Sequence, residues 1–518
     1  MDLKVSLPKI NQYTFTFRKS EPSKNNILEK SPQQDTFEMS VGYFNDLHGQ
    51  TNNMLRILSG LKGDLKFSGG DNGIGDEKNK AVNNAVIKFM NLAGINGSAL
   101  GNHELDTKQN DFVDTVSKFN GNYFAVNLKQ DLSEEDDHAE LNNALKRSAV
   151  VEVNGEKVGV VGATPIDLLA RVTHPSYHRD CYVEDLDDTI EEIQKEIDAL
   201  KEQGVNKIFL LSHMGLDTDK IAAQKLDGVD VIIGGHTHDL IKNVIQNENL
   251  FYSKNNEPVI ITQGGKDGEY FGELKLTWDK NGVIVKAQNN VTSAQGFKRN
   301  RVLKNVFDDI LGKPEHLGEI KSATGPTKNR LIDPNPNAYF IMDAVRHEFN
   351  TDLALINVGN VRGFFEQGPV DSRQVFEVVP LKNNMVKLKL TEQEVVEALK
   401  NGAKSFINPG NKPSIVIPSG LKYTVTRNGE IKSASYIDKQ GKEISIDINN
   451  PNPNKIYTVA TDDFFASGGD KLISNKIEKN EVDEVFDFDK DKLTCDYIKK
   501  LNKPIDIFDD GRITIIDA

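Results

Sequence analysis

The chain has 518 residues and a formal net charge of -14 at pH 7, enough length for two or three domains with full hydrophobic cores. The acidic balance argues against polymeric nucleic acid, whose phosphate backbone is met by basic surfaces. It leaves room for a small phosphorylated ligand, because bound metal ions supply local positive charge. Two cysteines, Cys181 and Cys495, exclude a disulfide framework and a Cys-based zinc site and suit a reducing compartment. No apolar run is long enough for a signal-peptide core or a membrane span, so the expectation is a cytoplasmic protein with no membrane partner.

Residues 1–38 are polar and rich in Ser, Lys, Asn and Pro, and read as an N-terminal extension. From Met39 short apolar strands alternate with stretches of helical spacing, the pattern of an α/β layered domain over 39–295. The strands are MSVGYF before NDLHG, DLKFS before GGDNG, KIFLL before SHMG and DVII before GGHTH. The helical stretches include KAVNNAVIKFMNLA and DLDDTIEEIQKEIDALKEQG. Every polar cluster falls just past the C-terminal end of a strand, where open α/β sheets place their ligands. The segment 296–320 predicts a linker helix that ends at Gly-Lys-Pro. Residues 321–518 form a second α/β region, with a helix at NAYFIMDAVRHEF and strands at DLALIN, KLKL, KYTVT and IYTVA.

Five motifs carry chemistry: Asp46-Leu47-His48, Gly69-Gly70-Asp71, Gly101-Asn102-His103-Glu104-Leu105-Asp106, Ser212-His213 and Gly235-His236-Thr237-His238. Each alone is weak, since Gly-Gly-Asp is usually a tight turn. A His behind a strand is commonly a satisfied core residue. Together they hold five of the ten histidines, each placed behind an apolar strand. Two divalent metals ~3.5–4 Å apart, clamping a phosphate, require about eight ligand bonds and a bridging carboxylate. Imidazole with carboxylate suits Zn, Mn, Fe or Co rather than Ca or Mg.

This series resembles the calcineurin-like metallophosphoesterases, whose motifs run DxH, GD, GNH(E/D), H and GHxH. The resemblance implies a four-layer αββα sandwich holding two divalent metal ions, with Zn, Mn or Co expected. Carried over by position, one metal would take Asp46, His48, Asp71 and His238. The other would take Asp71, Asn102, His213 and His236, with Asp71 bridging. His103 would face the substrate phosphate, oriented by Asp106, because a carboxylate behind an imidazole fixes its tautomer.

The second half is similar to the C-terminal domain of 5′-nucleotidases, which implies a separate α/β substrate-binding domain. Asn357-Val358-Gly359-Asn360-Val361-Arg362 resembles its NGGGIR element, and Asp463-Phe464-Phe465-Ala466-Ser467-Gly468-Gly469-Asp470 its NFLxxGGD element. The resemblance implies that Asn357 and Arg362 contact phosphate or nucleoside, with Arg330 as a further phosphate contact. Phe464 would stack on a base and Asp470 would meet ribose hydroxyls. In the family a second aromatic faces that ring, from a Pro-Phe-Gly-Asn stretch. Here the stretch reads Pro380-Leu381-Lys382-Asn383-Asn384, with no ring.

The expected partner is therefore a small nucleotide or other phosphate ester, hydrolysed as a 5′-nucleotidase does. A phosphodiesterase or pyrophosphatase acting on cyclic nucleotides or nucleotide sugars would share the same metal motifs. A non-catalytic nucleotide-binding protein would be expected to have lost ligands, and none is lost here.

Overall fold

The structure is a computed structural model and describes residues 28–29, 36–75, 79–131, 141–172, 175–327, 329, 331–407, 414–486 and 489–517. It divides into two compact units, residues 1–311 and 312–518.

The strands that position chemistry in the first unit are β1 (Thr36–Phe44), β2 (Leu65–Ser68), β3 (Gly97–Ala99), β4 (Asn122–Phe124), β5 (Glu156–Ala163), β6 (Ile208–Ser212), β7 (Val231–Ile233), β8 (Pro258–Thr262), β9 (Tyr270–Asp279) and β10 (Ile284–Ser293). They fall into two sheets. The first runs Leu28–Glu29, β10, β9, β1, β2, β3, β4 and Leu145–Lys146; the second runs Leu250–Tyr252, β8, β7, β6, β5 and Ser148–Val153. Pairing is parallel from β1 through β4 to Leu145–Lys146 and from β5 to β8, and antiparallel at the remaining outer strands. The first sheet thus takes in strand residues N-terminal to Met39: Thr36 pairs with Asp279, and Leu28 with Ala287.

Three apolar layers explain the stacking. Val41, Phe67, Phe124 and Leu274 of the first sheet meet Val160, Phe209, Val231 and Ile260 of the second in a single cluster. Alternation along each strand turns the other side chains outward. Phe44 and Ala125 on the outer face pack against Met54, Phe89, Leu303 and Phe307 of the covering helices, while Val161, Leu210 and Ile232 pack against Ile193, Ile197 and Ala222. Helix, sheet, sheet, helix is the four-layer αββα sandwich.

The covering helices follow from their sequences. In α1 (Lys80–Ala93) Val82, Ala85, Val86, Phe89 and Met90 are buried at three- and four-residue spacing, and Gly94 at φ +68° ends the helix. In α2 (Leu186–Glu202) the Asp185 side chain accepts from Asp187 N and Asp188 N. That cap satisfies two N–H groups the helix leaves open. A third, α3 (Arg301–Leu311), buries Leu303 and Phe307 in the first unit.

The second unit is built on a five-stranded sheet in the order Val416–Ser419, β11 (Leu353–Asn357), β13 (Ile456–Asp462), β12 (Met385–Thr391) and Val482–Phe486. Smaller three- and four-stranded sheets flank it. β11 and β13 run parallel, so the segments that follow Asn357 and Asp462 leave from the same edge. Helices α4 (Pro336–Phe349), α5 (Glu392–Ala403) and α6 (Lys490–Leu501) add to its own core. Asn335 caps α4 from in front of Pro336 at its first turn. Thr391 and Glu394 close a reciprocal capping box on α5.

Candidate functional site

The turns behind β1, β2, β3, β6 and β7 carry all seven donors named from the sequence, and five of them sit at positive φ: Asp46 (51°), His48 (46°), Asp71 (51°), His236 (74°) and His238 (64°). Backbone strain of this kind survives only where its surroundings enforce it, and it concentrates at ligand sites. Two glycines make the approach possible. A Cβ on Gly70 (φ +95°) would lie 2.6 Å from His213 Nδ1, and one on Gly101 would lie 2.1 Å from Asp71 Oδ1.

The donors converge. Asp46, His48 and His238 form one cluster of ligand atoms, and Asp71, His213 and His236 a second. His48 and Asp71 also cluster with His103. Asp71 Oδ2 lies 3.7 Å from His48 Nε2 and 3.1 Å from His213 Nε2, between the two groups. Asp46 Oδ1 is 3.2 Å from His238 Nε2, and Asn102 Oδ1 is 3.1 Å from His236 Nδ1. Asp46, His48, Asp71 and His213 are buried.

This donor set fits a cation. His213 Nδ1 donates to Gly69 O at 2.6 Å, which leaves Nε2 as the atom facing Asp71. Among the described residues that buried Nε2 has no hydrogen-bond partner, although a carboxylate oxygen is 3.1 Å away. Burial would raise the Asp46 carboxyl, but the His238 and His213 imidazoles outweigh it and hold it at about 2. Burial likewise opposes ionisation of Asp71, which His213 and His103 nonetheless keep well below the usual carboxylate range. Two ionised carboxylates with no access to water are compensated by positive charge, which a divalent ion supplies once the imidazoles release their protons.

His103 stands beside this centre, partly exposed, with Nδ1 2.5 Å from Asp106 Oδ2 and its backbone N donating to Asp71 Oδ1 at 2.8 Å. Both residues of this pair stand out in the sequence, whereas what supports the donors does not. Glu104 takes Asn72 N and Gly73 N on one oxygen, and Asp71 N and Gly101 N on the other, tying the turn after β2 to the turn after β3. Asp267 receives His48 Nδ1 at 2.9 Å, and its backbone N donates to Asp46 O. Asp267 sits in a Gly-Gly-Lys-Asp-Gly turn behind β8, and that strand-then-glycine pattern was a usable signal. Such partners orient an imidazole and raise its basicity.

In the second unit, Asn357 Nδ2 donates to Asp470 Oδ2 at 2.9 Å, and Ser414 Oγ reaches the same oxygen at 2.9 Å. Asn360 Nδ2 donates to Asn357 Oδ1. Asp470 is at φ +53°. The buried Nε of Arg362 has no hydrogen-bond partner among the described residues. Phe464 is 39% exposed. In the ringless stretch Lys382 pairs with Asp491 at 2.7 Å and Asp489 at 3.3 Å. Arg330 lies outside the described residues.

A four-layer αββα sandwich with Asp, Asn and His donors gathered at the C-terminal ends of its strands defines a metallophosphoesterase. Residues 39–240 match the family model of the calcineurin-like phosphoesterases, and residues 318–475 match the 5′-nucleotidase C-terminal domain. The chain belongs to the calcineurin-like phosphoesterases that carry a 5′-nucleotidase C-terminal domain, hydrolases of phosphate esters whose family implies divalent metal ions.

The chain is 26% identical to a 5′-nucleotidase of Diplobatis ommata over 76% of its own length and 72% of that protein. It is also 26% identical to the trifunctional nucleotide phosphoesterase protein YfkN of Bacillus subtilis, over 90% of its length. It spans only 33% of YfkN. The crystal structure of a 5′-nucleotidase precursor from Thermus thermophilus superposes with a TM-score of 0.72, at 22% identity, over 93% of this chain and 100% of that one. That likeness concerns the fold. Among the described residues no helix is long and apolar enough to cross a membrane.

Proposed function

We propose that the protein releases phosphate from nucleoside monophosphates, as a 5′-nucleotidase with two divalent metal ions. The observation that carries this is the Asp71 carboxylate standing between His48 and His213, each at the head of a separate donor cluster. In this reading Asp46, His48, Asp71 and His238 hold one ion, and Asp71, Asn102, His213 and His236 the other. Zn, Mn or Co suits the donors. When bound, the metal pair supplies Lewis acidity and a nucleophile at neutral pH.

The chain's own residues do the rest. Asp106 accepts a hydrogen bond from the Nδ1–H of His103 and holds the ring so that a protonated Nε2 would donate to the phosphoryl oxygens and give its proton to the departing ester oxygen. Asp267 and the Gly69 carbonyl hold His48 and His213 with Nε2 turned to the centre. In the second unit Phe464 stacks on the base, Asp470 takes the ribose hydroxyls, and Asn357 and Arg362 contact nucleoside or phosphate. The relatives named 5′-nucleotidase and nucleotide phosphoesterase support the substrate class.

The test is phosphate release from nucleoside monophosphates, a cyclic nucleotide, a nucleotide sugar and p-nitrophenyl phosphate, with Mn²⁺, Zn²⁺ or Co²⁺ added. Metal-dependent release from monophosphates is expected, with Asp71→Asn lowering kcat/KM by at least about 100-fold, the scale of losing a group that acts on the reacting centre. Release from the diester or sugar alone would overturn the substrate and leave the metal reading intact.

A further inference from the structure

Phe464 stands on the short helix Asp463–Ala466, directly after β13. A ring 39% exposed on a mobile stem would pay much of its stacking energy in lost rotamer freedom. The structure shows a stem that is held from three sides. Asp462 Oδ1 accepts Phe465 N at 2.9 Å and caps the helix, while Oδ2 pairs with Lys490 Nζ at 2.9 Å. Both charged side chains are completely buried. The Asp463 backbone N donates to Asn384 O at 2.9 Å, and Asn384 N returns a bond to Asp463 Oδ2 at 3.2 Å. Finally, a Cβ on Gly469 would fall 2.4 Å from the Phe464 ring and 2.6 Å from the Phe464 carbonyl oxygen. The ring therefore rests where only glycine leaves room for it.

The ion pair calls for a reason. Buried ion pairs are often no more stabilising than apolar residues of equal volume, and in some proteins what they supply is a unique geometry. Lys490 opens α6 between Asp489 and Asp491, and both of those carboxylates are engaged by Lys382. Lys490 reaches instead to Asp462, the residue that caps the Phe464 helix. Lys382 and Asn384 belong to the stretch from which the second aromatic of the family's clamp is missing. Here Asn384 of that stretch braces the helix that carries Phe464.

We propose that the buried Lys490–Asp462 pair, with Gly469, presets the Phe464 ring, which makes Lys490 a positioning residue for the nucleoside although it touches no substrate. This rests on the reading of Phe464 as the base platform.

The test uses the full metal-loaded chain and compares KM for a nucleoside monophosphate with KM for p-nitrophenyl phosphate, which has no nucleoside. Lys490→Met and Gly469→Ala are each expected to raise the nucleotide KM about tenfold, the scale of one lost base–aromatic stack. Their KM for p-nitrophenyl phosphate stays within about twofold of the parent, whereas a general loss of structure would move both. If Lys490→Met does not fold, Lys490→Arg, which keeps the charge but not the buried fit to Asp462, takes its place, while Gly469→Ala keeps the ion pair and tests the seat of the ring alone. Phe464→Leu separates the two layers of the argument. If Phe464→Leu raises the nucleotide KM and neither other variant does, the positioning role is overturned and the platform stands. If Phe464→Leu leaves the nucleotide KM unchanged, the base platform itself is overturned.

Discussion

Asp230 illustrates how one buried acid outside the site shapes the behaviour of the first unit. It precedes β7, is almost wholly buried, and its Oδ2 accepts Ile208 N at 2.7 Å. Burial pushes its carboxyl up to about 8, whereas an unfolded Asp titrates near ~3.9. Between those values the folded chain keeps a proton that the unfolded chain has lost, so stability falls as pH rises through the window. The slope is about 1.4 kcal/mol per pH unit for one such group. Asp230→Asn keeps an acceptor for Ile208 N and removes the titration. Its Tm is expected to fall less than the parent's between about pH 5 and pH 8, as followed by thermal melts at several pH values. Parallel Tm–pH curves for the two proteins would show that Asp230 does not carry the proton.

At the scale of elements, the centre depends on the relative placement of two turns that are distant in sequence. Glu104 joins them: its carboxylate accepts four backbone N–H groups from the turns after β2 and β3. Charge-assisted bonds of this kind are stronger than neutral ones. Burial and the neighbouring Asp71 push the Glu104 carboxyl up, and the bonds from Asn72 N and Gly73 N oppose that push. Glu104→Gln exchanges one oxygen for an NH₂ group that faces N–H donors. Metal affinity is expected to fall by about 10–100-fold, as for other residues that orient ligands from behind. Competition with a chromogenic chelator reads that affinity without relying on catalysis. Unchanged affinity would confine Glu104 to a local turn.

For the whole molecule, each unit has its own core, and the proposed metal donors belong to the first. A cation bound only by the folded chain stabilises it by mass action, by about 2.7 kcal/mol when free metal is 100-fold above Kd. Adding a chelator is therefore expected to lower the Tm by several degrees, and excess Mn²⁺ to restore it. A Tm indifferent to both would mean that the seven donors do not hold a metal in the native state. The net charge of -14 adds to the need for cations, since an acidic chain on average repels a phosphate ester and a bound metal offsets that repulsion locally.

The sequence by itself determined the local parts. Apolar strands ending in Asp-x-His, Gly-Asp, Gly-Asn-His-Glu or Gly-His-x-His identify donors, because each motif spans a few residues and its chemistry is written in their types. Helices α1 and α2 were legible for the same reason, in their spacing and end signals. Only the tertiary structure decided which turns meet. Asp71 comes to stand between His48 and His213 because β2 lies beside β1 in one sheet and that sheet packs on the one that carries β6. Asp267 supports His48 across 219 residues of chain, and Lys490 reaches Asp462 across 28. Contacts like these depend on strand order and sheet packing, which arise from burying apolar faces collectively and leave no periodic mark near either partner. Glu104 shows the boundary most clearly: its motif marked it as part of the site, but its four N–H partners exist only once two strands have paired.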